Sequence, residues 1–257
     1  MIDDGSTDTT RETLARFGEK IHYIYQTNSG VSLARNRGLA VASGRYVAFL
    51  DSDDAWYPNK IHRQLEALKQ NPGAAACYSA FMVCDSTLSP VSVHTAEPRS
   101  SALEDMLLRG NLVSTPSTVI CERELFTKVG GFDAKLSLCA DWDMWLRLAA
   151  VTEFVYVDEP LVRYRKHDGN MSGNVALLEQ DSIRVLEKGF AMPGLSRSLR
   201  LRRQAAIAHN DMVLAGSYFQ AGLYRNFVRC ASRAVAMDFK QAGRLIGFPL
   251  RQLQARH

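Results

Sequence analysis

RYVAFL (45–50) is the stretch that most narrows what this chain can fold into: a continuous apolar run bounded by Gly44 and by DSDD (51–54). A short run without alternation, following a helical pattern, reads as a strand buried on both faces of a parallel sheet. SLARNRGLAVAS (32–43) is that preceding helix, opened by the NSG turn (28–30) and stopped by Gly44, at the C′ position that glycine favours. After DSDD, WYPNKIHRQLEALKQNPG (56–73) is amphipathic, with Pro58 near its first turn and Pro72-Gly73 as its stop. IHYIYQ (21–26) alternates and is rich in β-formers, and AAACYSAFMV (74–83) is a second apolar strand. With a short helix over 9–17, the order helix, strand, helix, strand, helix, strand predicts an α/β fold with a mainly parallel sheet.

Further along, residues 86–101 lack periodicity and read as a surface loop, and 103–109 as a short helix. DWDMWLRLAAV (141–151) is helical, with Trp142, Trp145, Leu146 and Leu148 as its apolar stripe. FVYVDEPLVRYRKH (154–167) alternates like an edge hairpin. Beyond about residue 178 the pattern is helical, with a break at MPG (192–194). Residues 195–257 carry 11 Lys/Arg against 2 Asp; set against a net charge of +4, that leaves about −5 for the first 194. The acidic and basic parts are therefore expected to do different jobs. The five cysteines are scattered and form no CxxC pair, which argues against a zinc site and for reduced thiols in a cytosolic compartment. No apolar run is long enough to span a bilayer, and the acidic, polar start has no signal-peptide pattern.

DSDD is the most informative local feature. Sheets of this kind bind ligands beyond the carboxyl ends of their strands, and DSDD follows such an end directly. Asp51 and Asp53, two apart on an irregular segment, suit a hard divalent cation, Mg²⁺ or Mn²⁺, whose shell is completed by water and phosphate oxygens. The other reading of the same residues is an acidic cap for the helix at Pro58.

DDGSTD, NSGVSLARNRGLAVASGRYVAFLDSDDAWYPNKI, GGFD, DWDMWLRL and YRKHDGNMS follow one another in this order. Together they resemble the family 2 glycosyltransferases, over about residues 1–172. The resemblance implies a GT-A (nucleotide-diphospho-sugar transferase-like) three-layer α/β sandwich over 1–175, with 176–257 as a basic helical extension. It places Asp3 and Asp4 at the base and ribose of a nucleotide, where the alternative is a turn-stabilising Asx interaction. It places Asn28, Gly30 and Arg35 at the nucleotide diphosphate, Arg35 being a permanent cation of suitable fork geometry. It gives Asp51 and Asp53 to the ribose and metal, adds His167 as a metal or phosphate ligand, and makes Asp141 the catalytic base. The family block commonly reads Glu-Asp where this chain has Ala140-Asp141, which removes a neighbour that would help raise the pKa of the base. A single base opposite the leaving group implies inversion at the anomeric carbon.

The implied activity is transfer from a UDP- or dTDP-sugar to a saccharide or lipid-linked acceptor, at a cytoplasmic site that extends to the cytoplasmic membrane face if the basic tail binds anionic lipid. Residues 86–101 and 130–138 are the expected acceptor loops. Nucleic acid is not expected, since no binding motif accompanies the positive charge. Residues 214–239 faintly resemble one tetratricopeptide repeat, which cannot bury its own apolar face and must pack on something. Family members usually carry a further strand, loop and helix ahead of the DDGS turn. Their absence supports a second expectation, a catalytically impaired GT-A protein serving as a binding or scaffold subunit. A nucleotidyltransferase is the third, without the Gly-rich basic loop it would need.

Overall fold

The computed structural model describes residues 1–167 and 173–246. The last five residues of the YRKHDGNMS block and the end of the basic extension lie outside them. The chain opens with a parallel pair, β1 (Ile2–Asp4) and β2 (Ile24–Gln26), joined through α1 (Thr10–Ala15). Helix α2 (Val31–Val41) packs back on β1, with Gly38 close to Ile2. Six further strands form a second sheet: β3 (Tyr46–Ala48), β4 (Ala55–Trp56), β5 (Ala74–Cys84), β6 (Pro90–His94), β7 (Ile120–Glu122) and β8 (Glu153–Arg165). Their order is β3-β7-β5-β8-β4, with β6 on β5. Helix α3 (Lys60–Gln70) precedes β5, while α4 (Ala102–Arg109), α5 (Arg123–Val129) and α6 (Ala140–Ala149) come between β6 and β8.

The fold is α/β as expected, but the sheet is mixed rather than mainly parallel. Only β1–β2 and β5–β8 are parallel; β3–β7, β4–β8, β5–β6 and β5–β7 are antiparallel. The turn at 85–89, closed by Asp85 N–H to the Ser89 carbonyl at 3.0 Å, is too short for a crossover and forces an antiparallel return. Residues 90–94 thus form a strand, not loop, and every residue of it is exposed, Val91 and Val93 included. Strand β3 is shorter than RYVAFL and only half-buried; it stands at the end of the strand order and pairs with β7 alone among the described residues. Residues 153–165 form one continuous strand, not an edge hairpin. Its register against β5 slips between Ser79↔Val157 and Ala80↔Pro160, the kind of irregularity where a strand tolerates proline.

The main core packs Ala76 and Tyr78 of β5 against Met106, Leu107, Met144, Trp145 and Leu148. It continues into α7 (Val175–Ala191), α8 (Arg197–Leu201) and α9 (Arg203–Gln220) through Val185, Leu186, Phe190, Leu199 and Ala206. At Gly189 a Cβ would come within 2.7 Å of a Leu107 methyl, so a side chain there would have to displace Leu107 between α7 and α4. Helices α9 and α10 (Tyr224–Met237) form a hairpin around a second cluster, with Leu214, Ala215 and Tyr218 against Cys230 and Ala231. A last short helix, α11 (Ala242–Ile246), follows.

Candidate functional site

The two turns at the start of the site are stitched to each other. Gly5 has φ of 88°, and a Cβ there would lie 2.7 Å from the Asn28 backbone nitrogen; glycine alone permits both the angle and the approach. Asp3 is buried and accepts hydrogen bonds from Ser6 N–H at 2.8 Å and the Tyr23 hydroxyl at 2.5 Å. The Tyr23 bond in particular holds its carboxyl below the usual carboxylate range. Asp4 accepts from Gln26 Nε2 at 2.7 Å, Ser29 N–H at 2.9 Å and Gly30 N–H at 2.9 Å. Gly30 is the N-cap of α2 and has no side chain to cap with. Asp4 thus supplies the missing cap from a neighbouring strand, with its charge at the positive end of the helix.

Helix α2 then aims Arg35 across the site. Its Nη2 donates to Asp51 Oδ1 at 2.9 Å, and its guanidinium lies 5.6 Å from the Phe132 ring centre. Asn36, next along the helix, clasps Phe132 in both directions, donating to its carbonyl at 2.8 Å and accepting from its N–H at 2.7 Å. That double bond fixes the GGFD loop to α2 and so ties the site's two halves together.

DSDD leaves the end of β3 and is held from β8 and from residue 117. Asp51 N–H donates to Ser117 Oγ at 3.0 Å. Arg165 Nε donates to the Asp53 carbonyl at 2.8 Å and Arg165 N–H to Asp54 Oδ1 at 3.1 Å. The end of β8 thereby carries His167 to the loop, with Nε2 at 3.2 Å from Asp53 Oδ2. Asp54 turns inward, and burial pushes its carboxyl up to about 6. Among the described residues no three His, Cys, Asp or Glu side chains form a ready metal cluster. The Asp53–His167 pair nonetheless fits a divalent ion held by few protein ligands: a carboxylate oxygen and an imidazole nitrogen converge, both partly exposed. Asp51 is instead paired with Arg35.

Asp141 begins α6 and is half-buried. Burial pushes its carboxyl up to about 6, opposed by the nearby charge of Arg35 and assisted by that of Asp51. Asn111 Nδ2 donates to its Oδ2 at 3.1 Å, and the Trp142 N–H to its Oδ1 at 2.8 Å. Asp143 is structural: it is buried and forms ion pairs with Arg147 at 2.8 Å and Lys188 at 2.6 Å. Arg35, Asp51 and Asp141 therefore share one electrostatic neighbourhood, with Asp53 and His167 adjoining through DSDD. Asp3, Asp4, Asn28 and Gly30 form the turn region at the N-terminus of α2. Asn111 has no signal in the sequence, since it comes from an irregular segment brought to Asp141 by packing.

The family model described as glycosyl transferase family 2 matches residues 1–130. An uncharacterized glycosyltransferase of Rickettsia typhi is 30% identical over 200 residues, 74% of this chain and 61% of the relative. TuaG of Bacillus subtilis, named as a glycosyltransferase of teichuronic acid biosynthesis, is 32% identical over 179 residues, 68% of this chain and 69% of the relative. The chain thus spans about 61% of the length of the Rickettsia relative. Among solved structures, S. aureus TarS in complex with UDP-GlcNAc is similar with a TM-score of 0.56 at 15% identity, over 90% of this chain and 80% of that one. The mannosyltransferase PcManGT of Pyrobaculum calidifontis, in complex with GDP-Man and Mn²⁺, gives 0.58 at 15% identity over 94% and 76%. Both share the fold.

Proposed function

We propose, since the chain belongs to glycosyltransferase family 2, that it transfers a sugar from a nucleotide-diphosphate donor, a UDP- or dTDP-sugar, to a hydroxyl of a saccharide or lipid-linked acceptor with inversion. The observation that carries this reading is the placement of Asp141, a desolvated carboxylate beside the Arg35–Asp51 pair. Desolvation makes Asp141 a stronger base than an ordinary aspartate while leaving it ionised at neutral pH. It takes the proton from the acceptor hydroxyl as that oxygen bonds to the anomeric carbon. The bond from that carbon to the diphosphate oxygen breaks in the same displacement, and the electron pair leaves with the nucleotide.

Arg35 neutralises charge on the donor diphosphate, at the cost of its present contact with Asp51, and Asp51 is then free to meet the donor. The turn held by Asp3 and Asp4 presents Asn28 and Gly30 to the nucleotide. Asp53 and His167 would hold a divalent ion, which when bound offsets the charge building on the departing diphosphate. The nucleotide sugars in the TarS and PcManGT complexes support a nucleotide-sugar donor, UDP-GlcNAc in the former favours uridine while GDP-Man in the latter does not, and the Mn²⁺ in the latter supports a metal.

The test is Asp141→Asn, assayed for donor turnover and for UDP binding with Mn²⁺ by calorimetry. Transfer should fall ~10²–10⁴-fold with UDP binding retained. Near-wild-type turnover would remove Asp141 from the base role, and absence of metal-dependent binding of both UDP and dTDP would remove the donor assignment.

The same proposal places the protein at the cytoplasmic membrane face. Arg197, Arg200 and Arg203 are exposed around Leu201, which is 77% exposed, a pairing of cations and apolar surface suited to anionic headgroups. No described helix is long and apolar enough to cross a membrane. Flotation with vesicles containing phosphatidylglycerol, but not with neutral vesicles, is the expected result.

A further inference from the structure

A cavity of about 310 Å³ lies beside Asp141, at the small end of the range for ligand sites. One wall comes from the part of the chain before the basic extension, with Asn111, Asp141 and Trp142. The opposite wall comes from the basic extension, with Ser182 of α7 and His209 and Asn210 of α9. Residues 86–101 contribute nothing to it, and of 130–138 only Leu138 does.

The hydrogen-bond account of this lining is uneven. The Asn111 amide is used at both ends, by Asp141 and by the Val113 N–H. His209 Nδ1 takes a hydrogen bond from Arg244 at 2.9 Å, and the ring bonds the Arg109 backbone. Arg109, also on the lining, is turned to the Glu97 carbonyl at 2.8 Å and to Asp105 at 3.4 Å. Ser182 Oγ donates to the Glu179 carbonyl and accepts from Asn210 Nδ2, each at 3.1 Å. Ser114 Oγ pairs with His94 Nε2 at 3.1 Å, whereas Asn210 Oδ1 accepts no hydrogen bond among the described residues and its residue lines the cavity. A free amide oxygen and a carboxylate across an otherwise largely apolar space call for a ligand with hydroxyl donors on its edge and apolar faces. A neutral pyranose ring has both.

We propose that this cavity is the acceptor site, that it takes the terminal neutral sugar ring of the acceptor, and that Asn210 accepts a hydrogen bond from a hydroxyl other than the one that reacts. The inference rests on Asp141 facing the acceptor in the reading above. It makes the basic extension half of the specificity apparatus. Asn210, distant from any family motif in the sequence, becomes a determinant of which acceptor is used.

The experiment uses the full chain with UDP and Mn²⁺ and a panel of octyl glycosides (glucoside, galactoside, mannoside, N-acetylglucosaminide and glucuronide), followed by saturation-transfer NMR. At least one neutral glycoside should receive saturation at its ring protons, and the glucuronide less. Asn210→Ala should weaken that binding about tenfold, the scale of one lost hydrogen bond, and Asn210→Phe should abolish it by filling the space. UDP affinity should stay unchanged in both. Equal ring saturation in the wild type and Asn210→Ala overturns the proposal, as does a panel in which no neutral glycoside binds. Because this readout needs no turnover, it separates from the base assignment. Loss of transfer in Asp141→Asn together with unchanged glycoside binding in the Asn210 variants sinks this inference alone.

Discussion

Asp4 sits at the end of β1 with its carboxylate filled by Gln26, Ser29 and Gly30, and Asp3 beside it is held by Tyr23 and Ser6. Asp141, at the start of α6, has one amide from Asn111 and its neighbour's N–H, and burial has raised its pKa to about 6. The same side chain is a structural clamp in one place and a stripped, basic group in the other. The balance of burial against hydrogen bonding makes the difference: at Asp141 burial outweighs its two donors and raises the pKa, whereas at Asp3 the Tyr23 hydroxyl outweighs burial and lowers it. The two ends of the site should therefore answer substitution in opposite ways.

The largest expected effect is the one that breaks the chemistry without the fold. Asp141→Asn should cost ~10²–10⁴ in turnover while leaving thermal stability at or above wild type at pH 7, because a charge unfavourable to bury is removed. Asp4→Ala should do the reverse to the fold. It strips the cap from α2 and hands two exposed backbone N–H groups back to water, a loss of about 1 kcal/mol, read as a fall in melting temperature. If Asp141→Asn proves the more destabilising of the two, the contrast between clamp and base fails.

Much of this was legible in local pattern and little of it in distant packing. DSDD, the NSG turn and the Asp141 helix are contiguous, and their turn chemistry and apolar periods are written where they act. Strands β6 and β8 are not legible because their pairing depends on neighbours: the five exposed residues 90–94 are too short a run to tell from a loop, and Pro160 resembles a turn until the register slip against β5 absorbs it. Apart from Ser6, the partners of Asp3 and Asp4 lie 20 to 26 residues away, beyond what a turn motif conveys. Asn111 and Asn210 reach Asp141's cavity from segments with no motif at all.

The pH profile sharpens the comparison at the active end. Asp141's carboxyl is raised to about 6, first by burial. A base must be ionised, so turnover with donor in excess should fall as pH drops through about 6, approaching tenfold per unit below it. An acid limb near 4, the ordinary aspartate value, would mean that Asp141 is as well solvated as a surface carboxylate.

Glu179 of α7 supplies the smallest effect and a second clamp with which to compare Asp3 and Asp4. It accepts from Tyr218 Oη at 2.6 Å and from both ends of the Arg229 fork at 2.8 and 2.6 Å. These bonds tie α7 to α9 and α10 and hold its carboxyl down to about 2, with Arg229 as the leading cause. A depressed folded-state pKa means that the contribution is complete above the unfolded value of about 4.5 and is lost as pH falls toward 2. Glu179 is mostly buried but Arg229 is nearly half exposed, so solvent screening keeps the pair to about 1 kcal/mol. In urea unfolding, Glu179→Gln should be less stable than wild type by that amount at pH 7, with the gap narrowing by pH 3. A gap that stays constant across that range would show that the bonds act by packing rather than by charge, and that the clamp in the basic extension differs in kind from the one at β1.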